Sequence, residues 1–380
     1  MTRSARVHGA IAEIGRAAWD ALAAPSGDPF VSFDFLEACE ASGCAQPGHG
    51  WAARHLTLET DGAVVGAMPL YLKGHSQGEY VFDHGWADAF ERAGGQYYPK
   101  LLGAVPFTPV TGPRLLAATP DDKRALLGAA VSLTEREGLS SLHVNFADDA
   151  DQALMIRAGL LARQDRQFIW ADRGYGSFDD FLADLSSSHR KSIRRERREA
   201  QAGLDIRVLT GADLTEAAWD AFFEFYTDTG SRKWGRPYLN RRFFSLIGER
   251  MADRTALILA YEAGRPIAGA LNFIGREALY GRQWGTINPR PFLHFELCYY
   301  RAIDLAISLG LSRVEAGAQG DHKLARGYLP RAVHSAHYIV HEGLRRAVGD
   351  YLERERPVVA DDDAVMIEHF SPFRRDDTSP

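Results

Sequence analysis

Between Leu311 and Pro330 the sequence LSRVEAGAQGDHKLARGYLP brings an acid, a base and cations close together. Arg313 to Ala316 reads as a short strand. Gly317 and Gly320 form a bend, and Asp321, His322, Lys323, Arg326 and Tyr328 follow it. A strand, a flexible bend and convergent acid, base and cation is a common way to build a site at the end of a sheet strand. The chemistry open to such a set is direct group transfer. Glu296 or Glu315 can deprotonate an amine, with His322 beside them, while Lys323, Arg326 or Arg282 stabilises a developing oxyanion or holds a phosphate. The same residues also read as a polar loop behind a buried strand, with Glu315 a surface acid and Glu296 a helix-start residue favoured by the dipole.

Three further stretches carry candidate groups. From Asp83 to Pro113 the chain is irregular and rich in Gly, Pro and aromatics, with Asp83-His84, Trp86, Tyr97-Tyr98 and Lys100. A long loop in a compact domain is functional or hides elements, and Asp83-His84 is a second candidate acid/base pair. Residues 188–202 form a basic helix behind the capping serines Ser186, Ser187 and Ser188, stopped by Gly203. Arg190, Lys191, Arg194, Arg195, Arg197 and Arg198 share one face of it, spread over roughly 160° at ~100° per residue. One reading is a solvated face with internal pairs to Glu196 and Glu199. The other is an anion-binding face for coenzyme phosphates, a nucleotide-linked substrate or an RNA backbone, because arginine forks suit phosphate. No aromatics are interleaved to stack on bases, which argues against sequence-reading of nucleic acid. Lys233, Trp234 and Arg236 in TGSRKWGRPY either line a pocket or make a packed turn.

Other chemistries are absent from the pattern. His322, His334 and His337 lack metal-ligand spacing, so no metal is expected. There is no Gly-x-Ser-x-Gly elbow and no Walker loop. Cys39, Cys44 and Cys298 have no metal spacing and read as reduced thiols. The net charge of −6 gives no global pull toward nucleic acid or membrane, so any anion binding must be local. No apolar leader or span of ~20 residues is present, and a cytoplasmic protein is expected.

The elements that must position these groups read as an α/β protein. With 380 residues, 46% hydrophobic and 25% charged, the chain can bury a sizeable core and favours two domains. Helices are expected over Ala10–Leu22, Phe33–Ala41, Asp121–Glu137, Ala217–Tyr226 and Phe292–Leu309, the last with Glu296 in its first turn. Strands are expected over Arg54–Glu59, Ala63–Leu72 and Ser141–Phe146, with another starting at Glu79–Phe82. A repeat runs through them. RHLTLETDGAVVGAMPLYLKGHSQGEYVFDHGW aligns with LILAYEAGRPIAGALNFIGREALYGRQWG, setting Gly66-Ala67 against Gly269-Ala270 and Tyr80 against Tyr280. GLSSLHVNF at Gly138 then matches GLSRVEAGA at Gly310. Too long a period for a solenoid, this fits two copies of one α/β domain.

These stretches also carry a resemblance. HRKSIRRERREAQAGLDI, GRPIAGALNFIGREALYGRQWG, FELCYYRAIDLAISLGLSRVEAGA and KLARGYLP resemble the Fem-type transferases, which are themselves similar to tandem GNAT acyltransferase domains. More closely, PLYLKGHSQGEYVFDHGWADAFERAGGQYYPKL, AVPFTPVTGPRL, DTGSRKWGRPYL and FLHFELCYY are similar to the FemAB-like predicted N-acyltransferases, over nearly the whole chain. The resemblance implies mixed central sheets flanked by helices, as a first GNAT-like domain over residues 1–160, a second over 161–370 and a charged tail over 371–380. It implies a donor that is acyl-CoA or aminoacyl-tRNA, with no resident cofactor, and a small-molecule or precursor amine as acceptor. Two departures stand out. INPRPFLHFE, at the place where GNAT enzymes carry a glycine-rich pyrophosphate loop, lacks those glycines. Lys323-Leu324-Ala325-Arg326-Gly327-Tyr328 keeps one lysine of the Fem-type Lys-aromatic-Lys pattern and has Ala325 at the other.

The expected function is an N-acyltransferase or aminoacyltransferase moving an acyl group from a thioester or aminoacyl ester to an amine. Glu296, Glu315, His322 and Lys323 are its catalytic candidates. Its binding candidates are Arg190, Lys191, Arg194, Lys233, Trp234, Arg282, Arg326 and Tyr328, with Asp83, His84, Tyr97 and Lys100 in the first domain. A different class is also open: a recognition protein that keeps the fold without catalysis and binds a phosphorylated or cell-wall precursor ligand.

Overall fold

In the computed structural model, residues 3–233, 237–318 and 320–374 are described. The first part of the chain runs β1 (Arg3–His8), α1 (Arg16–Ala23), α2 (Phe33–Ala41), β2 (Trp51–Ala53), β3 (His55–Thr60), β4 (Ala63–Met68) and β5 (Leu70–Lys73). It continues with α3 (His84–Arg92), β6 (Lys100–Gly103), β7 (Leu116–Ala117), α4 (Pro120–Arg136), β8 (Ser141–Ala147) and α5 (Asp149–Arg157). Next come β9 (Leu161–Ala171), α6 (Phe178–Asp184), α7 (Ser187–Gln201), β10 (Leu204–Leu209), α8 (Glu216–Lys233) and α9 (Arg241–Arg250). The remainder is β11 (Thr255–Glu262), β12 (Arg265–Ile274), β13 (Ala278–Thr286), α10 (Leu293–Phe295), α11 (Arg301–Ser308), β14 (Arg313–Glu315), β15 (Leu329–Ile339) and α12 (Glu342–Phe370).

Two compact units emerge: Met1–Asp165 with Ala332–Val359, and Arg166–Arg331 with Ala360–Pro380. A boundary at residue 160 would leave everything after it in the second domain, yet Ala332–Val359 groups with the first unit. The reason is local. β15 pairs antiparallel with β8, and Leu344, Val348 and Leu352 of α12 cluster with Trp86 and Tyr97.

In unit 1, β1-β3-β4-β7 form an antiparallel sheet, and β2-β5-β6-β8-β15 a mixed run in which β6 and β8 are parallel. Leu70, Leu101, Leu142 and Val144 of that run pack on Leu126, Leu127 and Leu133 of α4. In unit 2 the order is β10-β11-β12-β13-β14-β9, with β13 and β14 parallel. Phe168, Trp170 and Val314 meet Ile193 of α7 and Ile303 of α11 in its core.

The repeat survives as local structure. Both hairpins, β3–β4 and β11–β12, turn on two residues with positive φ, Asp61 (49°) and Gly62 (85°), and Ala263 (47°) and Gly264 (78°). Two positive φ values are what a tight hairpin matching strand twist requires. Gly66 faces Leu58 across the first hairpin, and Gly269 faces Leu259 across the second. α4 and α11 each end on a left-handed glycine, Gly138 or Gly310, after which Leu139 N bonds Thr134 O at 3.0 Å and Leu311 N bonds Ala306 O at 2.9 Å. Each leucine is then buried and a parallel strand follows.

Several expected elements differ. Glu79–Phe82 is loop, not strand, so Tyr80, at φ 60°, is no counterpart of Tyr280 in β13. The irregular Asp83–Pro113 stretch contains α3 and β6. The long helix expected from Phe292 is interrupted by a π-helical turn at Glu296–Tyr300, and α8 runs on to Lys233. No helix among the described residues is long and apolar enough to cross a membrane.

Candidate functional site

The basic helix forms as expected, but Ser186 at its start makes no side-chain cap and bonds His189 Nδ1 at 2.8 Å instead. Its inward face carries Ile193, Glu196 and Ala200, all buried. Glu196 is therefore no surface partner for the helix's own cations. It accepts both bonds from Arg326 Nη2, at 2.9 and 2.8 Å, and one from the Tyr300 hydroxyl. Arg326 also lies 3.5 Å from the centroid of Phe295 and donates to His322 O at 2.7 Å. That removes Arg326 from the substrate-binding candidates: its charge is neutralised inside the protein.

Arg197, Arg194 and Arg198 of α7, with Gln201, Phe178, Asp179 and Leu182, line a cavity of about 480 Å³. Arg197 is held: it pairs with Glu296 (Nε–Oε2, 3.2 Å) and with Asp304, and stacks 4.1 Å from the Phe178 centroid. Arg194 has the exposed Asp179 at 3.1 Å, a surface pair of small worth. Arg195 makes the expected surface pair with Glu199 at 3.9 Å. Arg190 and Lys191 belong to the same helix but do not line the cavity.

Glu296, expected as a general base, is fully buried and enclosed by donors. Besides Arg197 it accepts a hydrogen bond from Gln201 Nε2 at 2.8 Å and forms an ion pair with Arg301, whose Nε lies 3.0 Å away without hydrogen-bond geometry. A carboxylate so saturated with cations is an anchor for α7, because removing a proton from an amine requires a lone pair not already committed. Glu315 is buried at the end of β14 with Arg313 Nε at 2.9 Å, and burial raises its pKa against the pull of that arginine. Arg282, on neighbouring β13, contributes a weaker positive field there. His322 shares a hydrogen bond with the Tyr299 hydroxyl at 3.0 Å. Tyr328 is a core residue, fully buried with its hydroxyl on Tyr299 O at 3.1 Å, and so does not line a ligand site.

Lys323 does reach back over the strand end, as its position after the Gly317–Gly320 bend implies. Its ammonium donates to Ala316 O and to Gly317 O (2.9 Å), and burial lowers its pKa to about 8. One of its three N–H donors is left beyond those two bonds. Trp234 and Arg236 lie outside the described residues, as does the side chain of Lys233.

Unit 1 holds a second concentration of buried charge, around Lys100 at the start of β6. Its ammonium donates to Glu79 Oε2 at 2.9 Å, Ser76 Oγ at 2.7 Å and Asp83 Oδ2. Tyr97 donates to the same Asp83 oxygen at 2.7 Å, and His143 Nε2 lies 3.2 Å from the Tyr97 oxygen. His143 Nδ1 meets His337 Nδ1 at 2.6 Å, and His337 Nε2 meets Ser335 Oγ at 2.9 Å. Lys73 ends β5 with its Nζ 3.5 Å over Trp51 and 3.9 Å from Glu79 Oε1. Burial drives Lys73 down and Glu79 up, both to about 7, while Lys100 and Asp83 remain a fixed ion pair. Asp83, Tyr97 and Lys100 are thus brought together as a site would need. His84 is not: it is exposed at the start of α3, and Asp83 faces Lys100 and His143 instead. Sequence reasoning missed Lys73, Ser76, Glu79, His143 and His337. The available signal was a titratable residue on the inward side of an apolar strand, as in LYLK, SLHVNF and SAHYI.

Tandem mixed α/β units of this kind recur in known structures. FemX matches with a TM-score of 0.55 at 13% identity, over 92% of this chain and 100% of its own. The C-terminal domain of a putative lysylphosphatidylglycerol synthetase from Agrobacterium fabrum matches at 0.54 and 9% identity, over 94% and 98%. L-PGS from Bacillus licheniformis gives 0.51 and 9%, over 86% and 98%. At these identities the likeness is one of fold. Among curated protein sequences none matches significantly. The family is shown by sequence: residues 10–375 match the FemAB-like model, described as peptidoglycan biosynthesis/recognition, and the chain belongs to that family.

Proposed function

We propose that the protein is an acyl or aminoacyl transferase that moves an acyl group from a thioester or an aminoacyl ester to an amine by direct transfer. The observation that carries this reading is the arginine-lined cavity on α7 in a chain of the FemAB-like family. Both donor types, acyl-CoA and aminoacyl-tRNA, carry phosphates, and Arg194 and Arg198 offer forks that match phosphate oxygens. The family's description, peptidoglycan biosynthesis/recognition, supports a peptidoglycan precursor as acceptor; the amine on it and a cytoplasmic setting are part of the proposal. Lys323 contributes its remaining N–H to the oxyanion of the tetrahedral intermediate in this proposal.

The test is turnover. The protein is incubated with an amine-bearing peptidoglycan precursor and either acyl-CoA or aminoacyl-tRNA, and release of free thiol or deacylated tRNA is followed. Binding of these ligands without release of either product refutes the transferase reading. It would favour the second one, a recognition protein. That alternative draws on a specific observation: Glu296, Glu196 and Arg326 have their charges satisfied within the protein.

A further inference from the structure

Helix α7 presents two ranks of side chains to the cavity of unit 2, each pair one turn apart: Arg197 with Gln201, and Arg194 with Arg198. The inner rank is spent. Arg197 and Gln201 both donate to the buried Glu296, and Arg197 also holds Asp304, leaving its side chain 16% exposed. The outer rank is open. Arg194 is 58% exposed, and its one partner among the described residues is Asp179. Arg198 is exposed, with no hydrogen bond or ion pair among the described residues.

Asp179 does not hold its own helix. Ser177 Oγ accepts from Asp180 N at 3.2 Å and donates to Asp180 Oδ2 at 2.8 Å, so the start of α6 is capped without it. At 79% exposed, the Asp179 side chain is free to turn into solvent when another anion takes its place. We infer that this cavity is a phosphomonoester site in which Asp179 occupies the Arg194 fork until the phosphate displaces it. The inference rests on the transferase reading for the donor served: acyl-CoA carries a phosphomonoester, whereas the backbone phosphates of tRNA are diesters.

Oxygen count decides between the anions. Two guanidinium forks one turn apart can converge on one phosphate, and each fork seeks two acceptor oxygens. A phosphomonoester brings three terminal oxygens and about two negative charges, so both forks are engaged with one oxygen shared. A diester or a carboxylate brings two terminal oxygens and one charge. That is enough for a single fork, and Asp179 already supplies as much to Arg194. Such a ligand exchanges one partner for an equivalent one and still loses its freedom of motion, so it gains little.

A long diester chain would instead meet the arginines one phosphate each. That needs a row of cations open along the helix, and Arg190 and Lys191, which continue the row, lie outside the cavity. The cavity is also walled on one side by Phe178 and Leu182, with the Arg197 guanidinium stacked 4.1 Å from the Phe178 centroid. Its volume of about 480 Å³ falls in the range of small-molecule sites. Gln201 is the last residue of α7, so the carbonyl end of the helix faces this region and its dipole opposes an anion. The attraction has to come from the guanidinium groups. INPRPFLHFE, without glycines to let backbone amides cradle a phosphate, leaves that task to side-chain forks as well.

The test is a titration of the full-length protein at physiological ionic strength and about pH 8, where a phosphomonoester is doubly charged. The probes are methyl phosphate, dimethyl phosphate, acetate and the trinucleotide ApApA, followed by NMR chemical shifts. The proteins are wild type, Asp179→Asn, Arg198→Met, and Arg190→Met combined with Lys191→Met. All four positions lie at the surface of the helices, and thermal unfolding checks that each variant is folded. Methyl phosphate should bind wild type roughly 10-fold or more tightly than dimethyl phosphate or acetate, the worth of a second charged hydrogen-bonding partner. Arg198→Met should abolish that preference. Asp179→Asn should tighten methyl phosphate by roughly 2–5-fold, the worth of the exposed pair it removes. The Arg190 and Lys191 change should leave methyl phosphate within about threefold, because salt screens charges outside the cavity.

Equal affinity for methyl and dimethyl phosphate overturns the phosphomonoester assignment. So does tighter binding of ApApA that the Arg190 and Lys191 change weakens by roughly 10-fold, the mark of a strand lying along α7. An Asp179→Asn affinity no higher than wild type overturns the role given to Asp179. A wild type that binds methyl phosphate as expected but releases no thiol from acyl-CoA overturns the transferase reading and leaves the phosphate site standing.

Discussion

Replacing Glu296 with glutamine separates an anchor from a base. The carboxylate accepts hydrogen bonds from Arg197 through Nε and Nη2, both at 3.2 Å, and from Gln201 at 2.8 Å, and it pairs ionically with Arg301 at 3.0 Å. Glutamine preserves the shape but removes the charge and turns one oxygen into an NH₂ that faces other donors. Breaking a buried ion pair by removing one partner costs about 3–5 kcal/mol. Here the cost sits toward or below the lower end, because Arg197 retains Asp304 and the Arg301 side chain is 30% exposed. About 2–3 kcal/mol remains, which for a domain of 150–250 residues is a fall of roughly 5–10 °C in Tm. Scanning calorimetry or a thermal shift assay reads this directly. Turnover under conditions where the variant is folded should keep the wild-type pH profile, since no proton-accepting group has been lost. A Tm within ~2 °C of wild type combined with a 100-fold loss of kcat would refute the reasoning and restore Glu296 as the base.

Lys323→Met should keep the fold and lower kcat by ~100-fold, the effect of removing one oxyanion donor; kcat within threefold of wild type would reduce Lys323 to a tie on Ala316 and Gly317. Arg194→Glu combined with Arg198→Glu should weaken binding of CoA or aminoacyl-tRNA by ~100-fold or more, from two charged hydrogen bonds of ~1.5–3 kcal/mol each. Tm should not move, because both side chains are exposed; calorimetric titration checks the first part and thermal unfolding the second. Acid stability should report the His143–His337 pair. Burial lowers the folded pKa of His143 to about 3, so the unfolded chain binds the extra proton between there and the ordinary value of 6.5. Stability is therefore fully present above pH 6.5 and declines as pH falls, by ~1.4 kcal/mol per pH unit for each such histidine. His143→Asn should make urea midpoints between pH 6.5 and 4 less steeply pH-dependent than in wild type.

How much of this was legible depended on which force did the positioning. The hairpins were readable because Asp61-Gly62 and Gly264 announce a turn needing positive φ. The Gly-Leu-Ser ends of α4 and α11 were readable because a left-handed glycine and a buried leucine form one compact motif. The face of α7 was readable from angular periodicity alone. What periodicity cannot supply is the partner. Glu196 and Arg197 look like members of a charged surface, yet their partners lie far along the chain, Arg326 for one and Glu296 with Asp304 for the other. Which charges stay free for a ligand is decided by those pairings and is invisible in a window of 15 residues.

The same argument explains why Asp83 was found and its role misassigned. Adjacency in sequence suggested His84 as its partner, but at the opening of a helix consecutive residues diverge, since facing positions are three or four apart. His84 is exposed there, while Asp83 faces strands that bring Lys100, His143 and His337 together from widely separated segments. Their strands, LYLK, KLLG, SLHVNF and SAHYI, read as apolar core, and the occasional lysine or histidine looks like a tolerated exception. In a sheet buried on both faces there is no solvent side to which such a residue can turn. Each exception therefore has to find another, and convergence of Lys73, Lys100 and His143 with Glu79 and Asp83 is a consequence of strand order. Strand order, unlike strand content, is set by long-range pairing.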